Sequence, residues 1–209
     1  MASVFSHAVA ALNIGACFYQ PALSSGMPKL HRDTVNFHRN YQEYYDARGT
    51  HMNQYRVTKY NPALRDPSDS FTGHEWTSVA DIGRSFAGVI LTGEEYGRVE
   101  QAYASAALAF LGEAGLTELR IEGFENPRGL HMAFDEGTVL SLEHVGEIVG
   151  RILREEFWCR LEGDRGFLHF GWDFYMYVGV PHPCLSAQAR AVELGLYVEE
   201  FLSPYNERS

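Results

Sequence analysis

Residues 157–180, FWCRLEGDRGFLHFGWDFYMYVGV, decide the fold class of this chain. These 24 residues contain two Trp, four Phe and two Tyr, and the run GDRG at 163–166 divides them. Aromatic side chains favour the pleated surface of a β-sheet, and a glycine-rich tetrapeptide is typical of a hairpin turn. The segment therefore predicts three antiparallel strands, at 157–162, 167–171 and 174–180.

Periodic patterns extend this prediction along the rest of the chain. Helical spacing of apolar residues predicts helices at 93–114, 141–153 and 185–194, and alternation predicts strands at 54–60, 119–124 and 196–202. A further short helix is predicted at 78–87, because Ser78 and Asp81 have the spacing of a helix cap. The order of elements predicts an α+β fold: a mostly antiparallel five- or six-stranded sheet with helices packed on one face.

The length of 209 residues predicts one domain with an appendage. Residues 1–52 show little periodicity apart from a short helix predicted at 32–46, and we interpret them as an N-terminal extension or arm. Residues 53–205 form the single α+β domain of this prediction, and residues 206–209 form a tail.

The charge of the chain bears on its partners. It carries 27 acidic and 17 basic residues, which give a formal net charge of −10. A surface of this sign repels phosphate backbones, so we expect no nucleic-acid binding and favour a basic protein partner. The alternative is that the acidity serves solubility alone. No segment reaches the ~18 consecutive apolar residues that a membrane span needs.

The three cysteines, Cys17, Cys159 and Cys184, lie far apart and predict neither a disulfide framework nor a zinc site. We therefore expect a cytoplasmic protein. Residues 14–17, IGAC, resemble a bacterial lipoprotein cleavage box, so export through Cys17 is the minor alternative; no Lys or Arg precedes position 29. From His51 onward the histidines are at least 13 residues apart, and we expect neither a metal nor a cofactor.

The predicted hairpin suggests one candidate catalytic group. If its strands pair, Glu162 lies opposite Phe167, and His169 follows two residues later. A histidine beside a carboxylate is suited to general acid/base catalysis, with Glu162 or Asp173 orienting His169 and with Tyr175 close by. The alternative, a structural histidine within the sheet, is favoured because neither a nucleophile nor a metal set accompanies the pair.

A second set of residues predicts a surface that binds a protein partner. Trp76 precedes the helix predicted at 78–87, where it is either an exposed anchor or a ring packed on the core. The acidic members of the set are Glu155, Glu156, Glu162, Asp164, Glu199 and Glu200. If the last strand lies near the hairpin, several of them converge on one edge and steer a basic partner; otherwise they form a solvated surface.

Five motifs resemble a group of small, uncharacterised bacterial α+β proteins, over residues 53–205. They are YxVTKYNP (55–62), EWTSxxDIG (75–83), REExWCxLEG (154–163), HFGxDxYMY (169–177) and VEEFxSPY (198–205). Proteins of this kind are similar in size, charge and fold to the immunity proteins of bacterial toxin–immunity pairs. The resemblance implies a protein-binding role and no known reaction.

These observations lead to three functional hypotheses. The first is a non-catalytic binding protein, an immunity-type inhibitor that docks a basic toxin through acidic and aromatic surface. The second is a small enzyme with His169 as the general base and Glu162 or Asp173 as the orienting acid. The third is a subunit of a larger bacterial assembly. The sequence leaves the oligomeric state open.

We expect a chain that begins at Met52 to melt at nearly the same temperature as the full chain, because the sequence predicts that residues 1–51 lie outside the domain. Thermal unfolding followed by circular dichroism compares the two chains. Loss of cooperative unfolding in the shorter chain would show that the domain begins before residue 52.

Overall fold

The computed structural model of this chain describes residues 51–171 and 173–206. The strands of this region are β1 (Asn53–Thr58), β2 (Ser85–Phe86), β3 (Val89–Ile90), β4 (Glu118–Glu125), β5 (Val139–Ser141), β6 (Trp158–Gly163), β7 (Gly166–Phe170), β8 (Tyr175–Val180) and β9 (Tyr197–Glu200). The helices are α1 (Gly93–Glu113), α2 (Leu142–Leu153) and α3 (Leu185–Glu193). None of these helices is long and apolar enough to cross a membrane.

Seven strands form one antiparallel sheet in the order β5-β4-β6-β7-β8-β1-β9. The predicted hairpin is confirmed, since Glu162 pairs with Phe167 and Gly163 with Gly166. The α+β prediction is also confirmed, although the sheet has seven strands and not five or six. The additional strand, β5, has three residues and is too short to show an alternating pattern.

One face of the sheet carries the main hydrophobic core. Val57 of β1, Leu161 of β6, Leu168 of β7 and Met176 of β8 are each fully buried on this face. Side chains alternate between the two faces along each strand, so every second residue of these strands points to the core. Helices α1, α2 and α3 cover them, with Phe110 of α1 also fully buried. Burial of this continuous apolar layer is the main contribution to stability.

Helix α1 begins and ends where the sequence predicts. The Thr92 hydroxyl accepts a hydrogen bond from the Glu95 amide at 3.1 Å, which satisfies one of the free amides of the first turn. Gly115, directly after the helix, has a φ of 67°, a conformation that glycine adopts without steric cost. The fixed ends set the position of the helix over the sheet.

The prediction of a helix at 78–87 is wrong. Ser78 and Asp81 do form a capping box, but it closes only a 3₁₀ turn at Val79–Asp81. The chain then forms the separate β2–β3 hairpin, because Ala87 and Gly88 both have positive φ and turn it back. Val89 is 71% exposed, so the apolar residues of this segment do not mark a buried helix face.

The second face of the sheet, which we call the open face, is covered by the C-terminal segment 201–206. Ser203 is central to this cover: its backbone N–H donates to Gln54 Oε1 at 2.9 Å, and its hydroxyl lies 2.7 Å from His169 Nδ1. The Tyr205 ring packs 5.9 Å from the ring of Tyr177. These contacts bury a smaller apolar cluster beneath the segment.

Part of the predicted domain organisation lies outside the described residues. This applies to the helix at 32–46, to Cys17 and to nearly all of the N-terminal extension 1–52. The last residue of that predicted extension, Met52, is buried against Phe167 and Tyr177 on the open face.

Gly179 supplies a test of the sheet register. It pairs with Phe167 across β7 and β8, and a Cβ at this position would overlap the Phe167 ring. We expect Gly179→Ala to lower the free energy of unfolding by about 1–3 kcal/mol, as overpacking does. Denaturant unfolding measures this change.

The matched control is Gly97→Ala in α1, where a Cβ meets no atom within 4 Å. Alanine stabilises the interior of a helix relative to glycine, so this change should raise the free energy of unfolding by about 0.5–1 kcal/mol. Changes of the same sign in the two variants would contradict the register.

Candidate functional site

Phe174 adopts a left-handed backbone conformation at the turn between β7 and β8, with a φ of 62°. This conformation is strained for a bulky residue and persists only where packing enforces it. The ring of Phe174 lies 5.0 Å from Trp76, 6.0 Å from Tyr96 and 5.7 Å from Tyr103. Its carbonyl accepts a hydrogen bond from the Tyr103 hydroxyl at 2.5 Å. Both neighbours of Phe174 in the chain line the same cleft.

This cleft has a volume of about 410 Å³, within the range of ligand-binding sites. It lies between the start of β8 and the loop that follows β1. The lining residues are Arg56, Tyr60, Asp69, Ser70, Phe71, Gly73, Glu75, Thr77, Asp173 and Tyr175. Three carboxylates, one guanidinium and three aromatic rings therefore face the same space.

Two of the three carboxylates in the cleft are held in ion pairs. Asp69 binds the buried Arg56 through two hydrogen bonds, at 2.6 and 3.2 Å. Glu75 binds Lys59 at 2.9 Å, and the ammonium group also lies 4.1 Å from the centroid of the Trp76 ring. Burial lowers the pKa of Lys59, and the Glu75 carboxylate opposes this effect. These pairs leave little charge from either carboxylate for a ligand.

Asp173 differs from the other two carboxylates. No other residue in the described part of the chain forms an ion pair or a hydrogen bond with its side chain. The residue is exposed at the mouth of the cleft, yet the surrounding protein raises the pKa of its carboxyl by desolvation. A titratable group perturbed in this way within a cleft is typical of a functional site.

A cluster of charged residues borders the cleft at β1 and β9. Arg56 and Arg65 both bind the Glu199 carboxylate, at 3.3 and 2.5 Å. The side chains of the two arginines are only 6% and 5% exposed, so this cluster fixes the loop after β1 to the edge of the sheet. Arg56 also lies 3.9 Å from the centroid of Phe201, at the start of the C-terminal segment.

The structure divides the predicted catalytic set into two parts. Glu162 and His169 do meet, with Oε1 2.7 Å from Nε2. The other ring nitrogen of His169 lies 2.7 Å from the Ser203 hydroxyl, and the residue is 1% exposed beneath the C-terminal segment. Asp173 and Tyr175 line the cleft, which His169 does not line. The pair thus fastens the segment to the open face, as the structural alternative for His169 expects.

The predicted acidic surface does not converge on one edge. Strand β9, with Glu199 and Glu200, is four strand positions from β6, or roughly 19 Å. Glu155 and Glu156 precede β6, whereas Glu162 ends it, so these groups lie at opposite ends of the strand.

Several of these acids also have partners within the chain. Glu156 binds Arg151 at 2.8 Å and Arg154 at 3.1 Å. Glu199 and Glu162 have the partners described above, and Asp164 also has a partner. The number of acidic residues therefore overstates the negative charge that this surface presents to a partner.

The interpretation of Trp76 as an exposed anchor needs correction. The residue is 8% exposed and its ring packs against Tyr96 and Phe174. Its backbone carbonyl also accepts a hydrogen bond from the Tyr60 hydroxyl at 3.4 Å. Trp76 is part of the core, as the alternative of a ring packed on the core expects. It packs against Phe174, whose neighbours in the chain line the cleft.

Sequence reasoning missed most of the cleft. Asp69 and Phe71 belong to the polar loop after β1, and nothing in the local pattern distinguishes them from an ordinary surface loop. Glu75 begins the EWTSxxDIG motif, but the sequence assigns it no place beside Asp173. The available signals were Asp173 and Tyr175, which the sequence placed in a catalytic set with His169. Among the described residues, no group of three or more His, Cys, Asp or Glu is arranged to hold a metal ion.

The charge state of Asp173 gives a test with a defined sign. A raised carboxyl pKa means that the ionised form is disfavoured in the folded protein, and this cost is lost as the pH falls toward about 4. We expect Asp173→Asn to leave the free energy of unfolding at pH 7 unchanged or to raise it slightly. Any gain should disappear at low pH in denaturant titrations.

Asp81→Asn is the matched control. The Asp81 carboxylate accepts hydrogen bonds from the Thr77 and Ser78 amides at 3.0 and 3.3 Å, and the pKa of its carboxyl is lowered by these contacts and by Arg84. Loss of this cap should cost about 1 kcal/mol. A cost of the same size in Asp173→Asn would mean that Asp173 has a structural role.

Comparisons with known proteins do not assign a function to this site. The chain matches no protein-family model, no curated protein and no solved structure. The function is therefore argued from the residues that line the cleft and from their charges.

Proposed function

We propose that this chain is a non-catalytic protein-binding protein that docks a basic protein partner over the cleft, as an immunity-type inhibitor docks a toxin. The observation that carries the proposal is the Asp173 carboxylate, which has no side-chain partner among the described residues and lies at the mouth of a cleft that Tyr60, Phe71 and Tyr175 line. Carboxylates and aromatic rings together attract a cationic group.

The overall charge supports the same proposal. A formal net charge of −10 attracts a basic protein over a distance and speeds its association at low salt. The partner-binding surface differs from the one that the sequence predicts, since it includes Asp173 and Tyr175 and has Trp76 as a buried support.

An enzyme with His169 as the general base is the second candidate. The 2.7 Å contact between His169 and Glu162 favours it, because this is the geometry of an oriented base. Against it, both ring nitrogens already have partners and the side chain is 1% exposed. Catalysis would require the segment 201–206 to leave the open face.

A subunit of a larger assembly is the third candidate, and the β2–β3 hairpin favours it. Val89 and Ile90 on this hairpin are 71% and 62% exposed, and exposed aliphatic side chains on a projecting hairpin are suited to a protein interface. This candidate and the first both require a protein partner, and they differ in the surface used.

Capture from a lysate of the source organism tests the proposal, with the wild-type chain, Asp173→Asn and Glu193→Gln immobilised in parallel. Glu193 is a suitable control, because its side chain is 65% exposed on α3 and binds Arg190. We expect mass spectrometry to identify one stoichiometric basic protein on the wild-type and control columns. Asp173→Asn should retain much less of it.

Salt supplies the second condition of the experiment. Retention should fall between about 0.05 M and about 0.5 M salt, since screening weakens attraction between exposed charges. A partner that Asp173→Asn and high salt both leave in place would contradict docking over the cleft. If that partner is instead lost on Val89→Ser, the assembly hypothesis gains the support.

A further inference from the structure

The aromatic lining of the cleft forms a continuous wall. The Tyr60 ring lies 4.6 Å from Phe71 and 5.4 Å from Tyr175. Phe71 and Tyr175 are partly exposed, whereas Tyr60 is 2% exposed at the back of the cleft. Phe71 reaches this position because it folds over Gly73, where a Cβ would overlap its ring. A group entering the cleft therefore meets aromatic ring surface.

Two cations of the chain itself already lie against these rings. The Lys59 ammonium lies 4.1 Å from the Tyr60 centroid, and the Arg56 guanidinium lies 5.6 Å from the Tyr175 centroid. Both distances are within the ~6 Å range of a cation–π interaction. Two rings of the cleft therefore already have a cation of the chain within range of their faces.

The charges of the lining leave one position for a further cation. Arg56 neutralises Asp69 and Lys59 neutralises Glu75, so within the described part of the chain the cleft carboxylate without a counter-ion is that of Asp173. Because the protein around it partly removes Asp173 from water, a cation bound there recovers electrostatic energy that solvent does not supply. The hydroxyl groups of Ser70 and Thr77 also line the cleft and can accept hydrogen bonds.

The aromatic rings and the carboxylate of the cleft favour a guanidinium over an ammonium group. A guanidinium is flat, stacks on aromatic rings, and donates two parallel hydrogen bonds to one carboxylate. It is also less strongly hydrated than an ammonium, so it loses less on entering a partly enclosed site. The volume of about 410 Å³ is sufficient for one such side chain.

We infer that the cleft is a guanidinium pocket that takes an arginine side chain of the basic partner, with Asp173 as its counter-ion and Phe71 and Tyr175 as its walls. This inference rests on the proposed function and names the group that the partner inserts. An arginine that fills a pocket is typical of the residues that contribute most to binding energy.

The test uses the full chain and three small probes in a titration followed by ¹H–¹⁵N NMR. The probes are N-acetyl-arginine methylamide, its lysine counterpart and its citrulline counterpart, which has nearly the same shape as arginine but no charge. We expect the arginine probe to bind with a Kd of the order of 1 mM, as suits a ligand of this size. The amide signals of residues 71–77 and 173–175 should shift.

The lysine probe should bind several-fold more weakly, and the citrulline probe should cause no shift. Asp173→Asn should weaken the arginine probe at least ~10-fold. Gly73→Ala should weaken it without any change in charge, because it displaces Phe71. Glu193→Gln should behave as the wild type does. Equal binding of arginine and citrulline, or of arginine and lysine, would overturn the inference.

The two experiments separate the inference from the proposed function. If the arginine probe does not bind while Asp173→Asn still releases a captured basic protein, the guanidinium pocket is refuted and the docking surface stands. If the arginine probe binds and no basic protein is captured, the pocket stands as a site for a free guanidino compound and the proposed function is refuted.

Discussion

The position of Phe174 is the constraint on which the cleft depends. Its left-handed backbone is unfavourable in isolation, and the rings of Trp76, Tyr96 and Tyr103 hold it in place. Removal of any of these rings would leave a cavity and let the turn relax. Because Asp173 and Tyr175 are the neighbours of Phe174, the packing of the core determines where the carboxylate and the ring wall face. The geometry of the site therefore depends on the packing of the core.

Polar groups beneath the C-terminal segment and charged groups at the cleft both lie on the open face, and most of them have partners within the chain. On the open face, Gln54 Oε1 and both ring nitrogens of His169 are buried beneath the C-terminal segment and find partners within the chain, as buried polar groups generally do. At the cleft the charges of Arg56 and Lys59 are also matched, whereas Asp173 has no side-chain partner among the residues 51–171 and 173–206. Carboxylates perturbed in this way within a cleft are more frequent at functional sites than elsewhere on a protein surface.

Most of the fold could be predicted from the sequence, because long amphipathic helices and aromatic strands have clear periods. Strand β5 and the β2–β3 hairpin could not, since two or three residues do not define a period. The pairing of Glu162 with His169 follows from the hairpin register alone. The cleft could not be predicted, because Asp69, Phe71 and Glu75 meet Asp173 only through the return of the loop after β1 to the start of β8, which is a tertiary event.

Strand β1 lies between β8 and β9, so Asn53 pairs with Val180 and Tyr55 with Glu200. During synthesis, the apolar face of β1 must therefore wait for more than a hundred further residues before its neighbours exist. Such non-local pairing slows folding, because loop-closure entropy is lost before contacts compensate for it. Until residues 175–200 have been synthesised, β1 lacks one or both of its neighbours, and an unpaired strand of this kind is open to pairing with other chains.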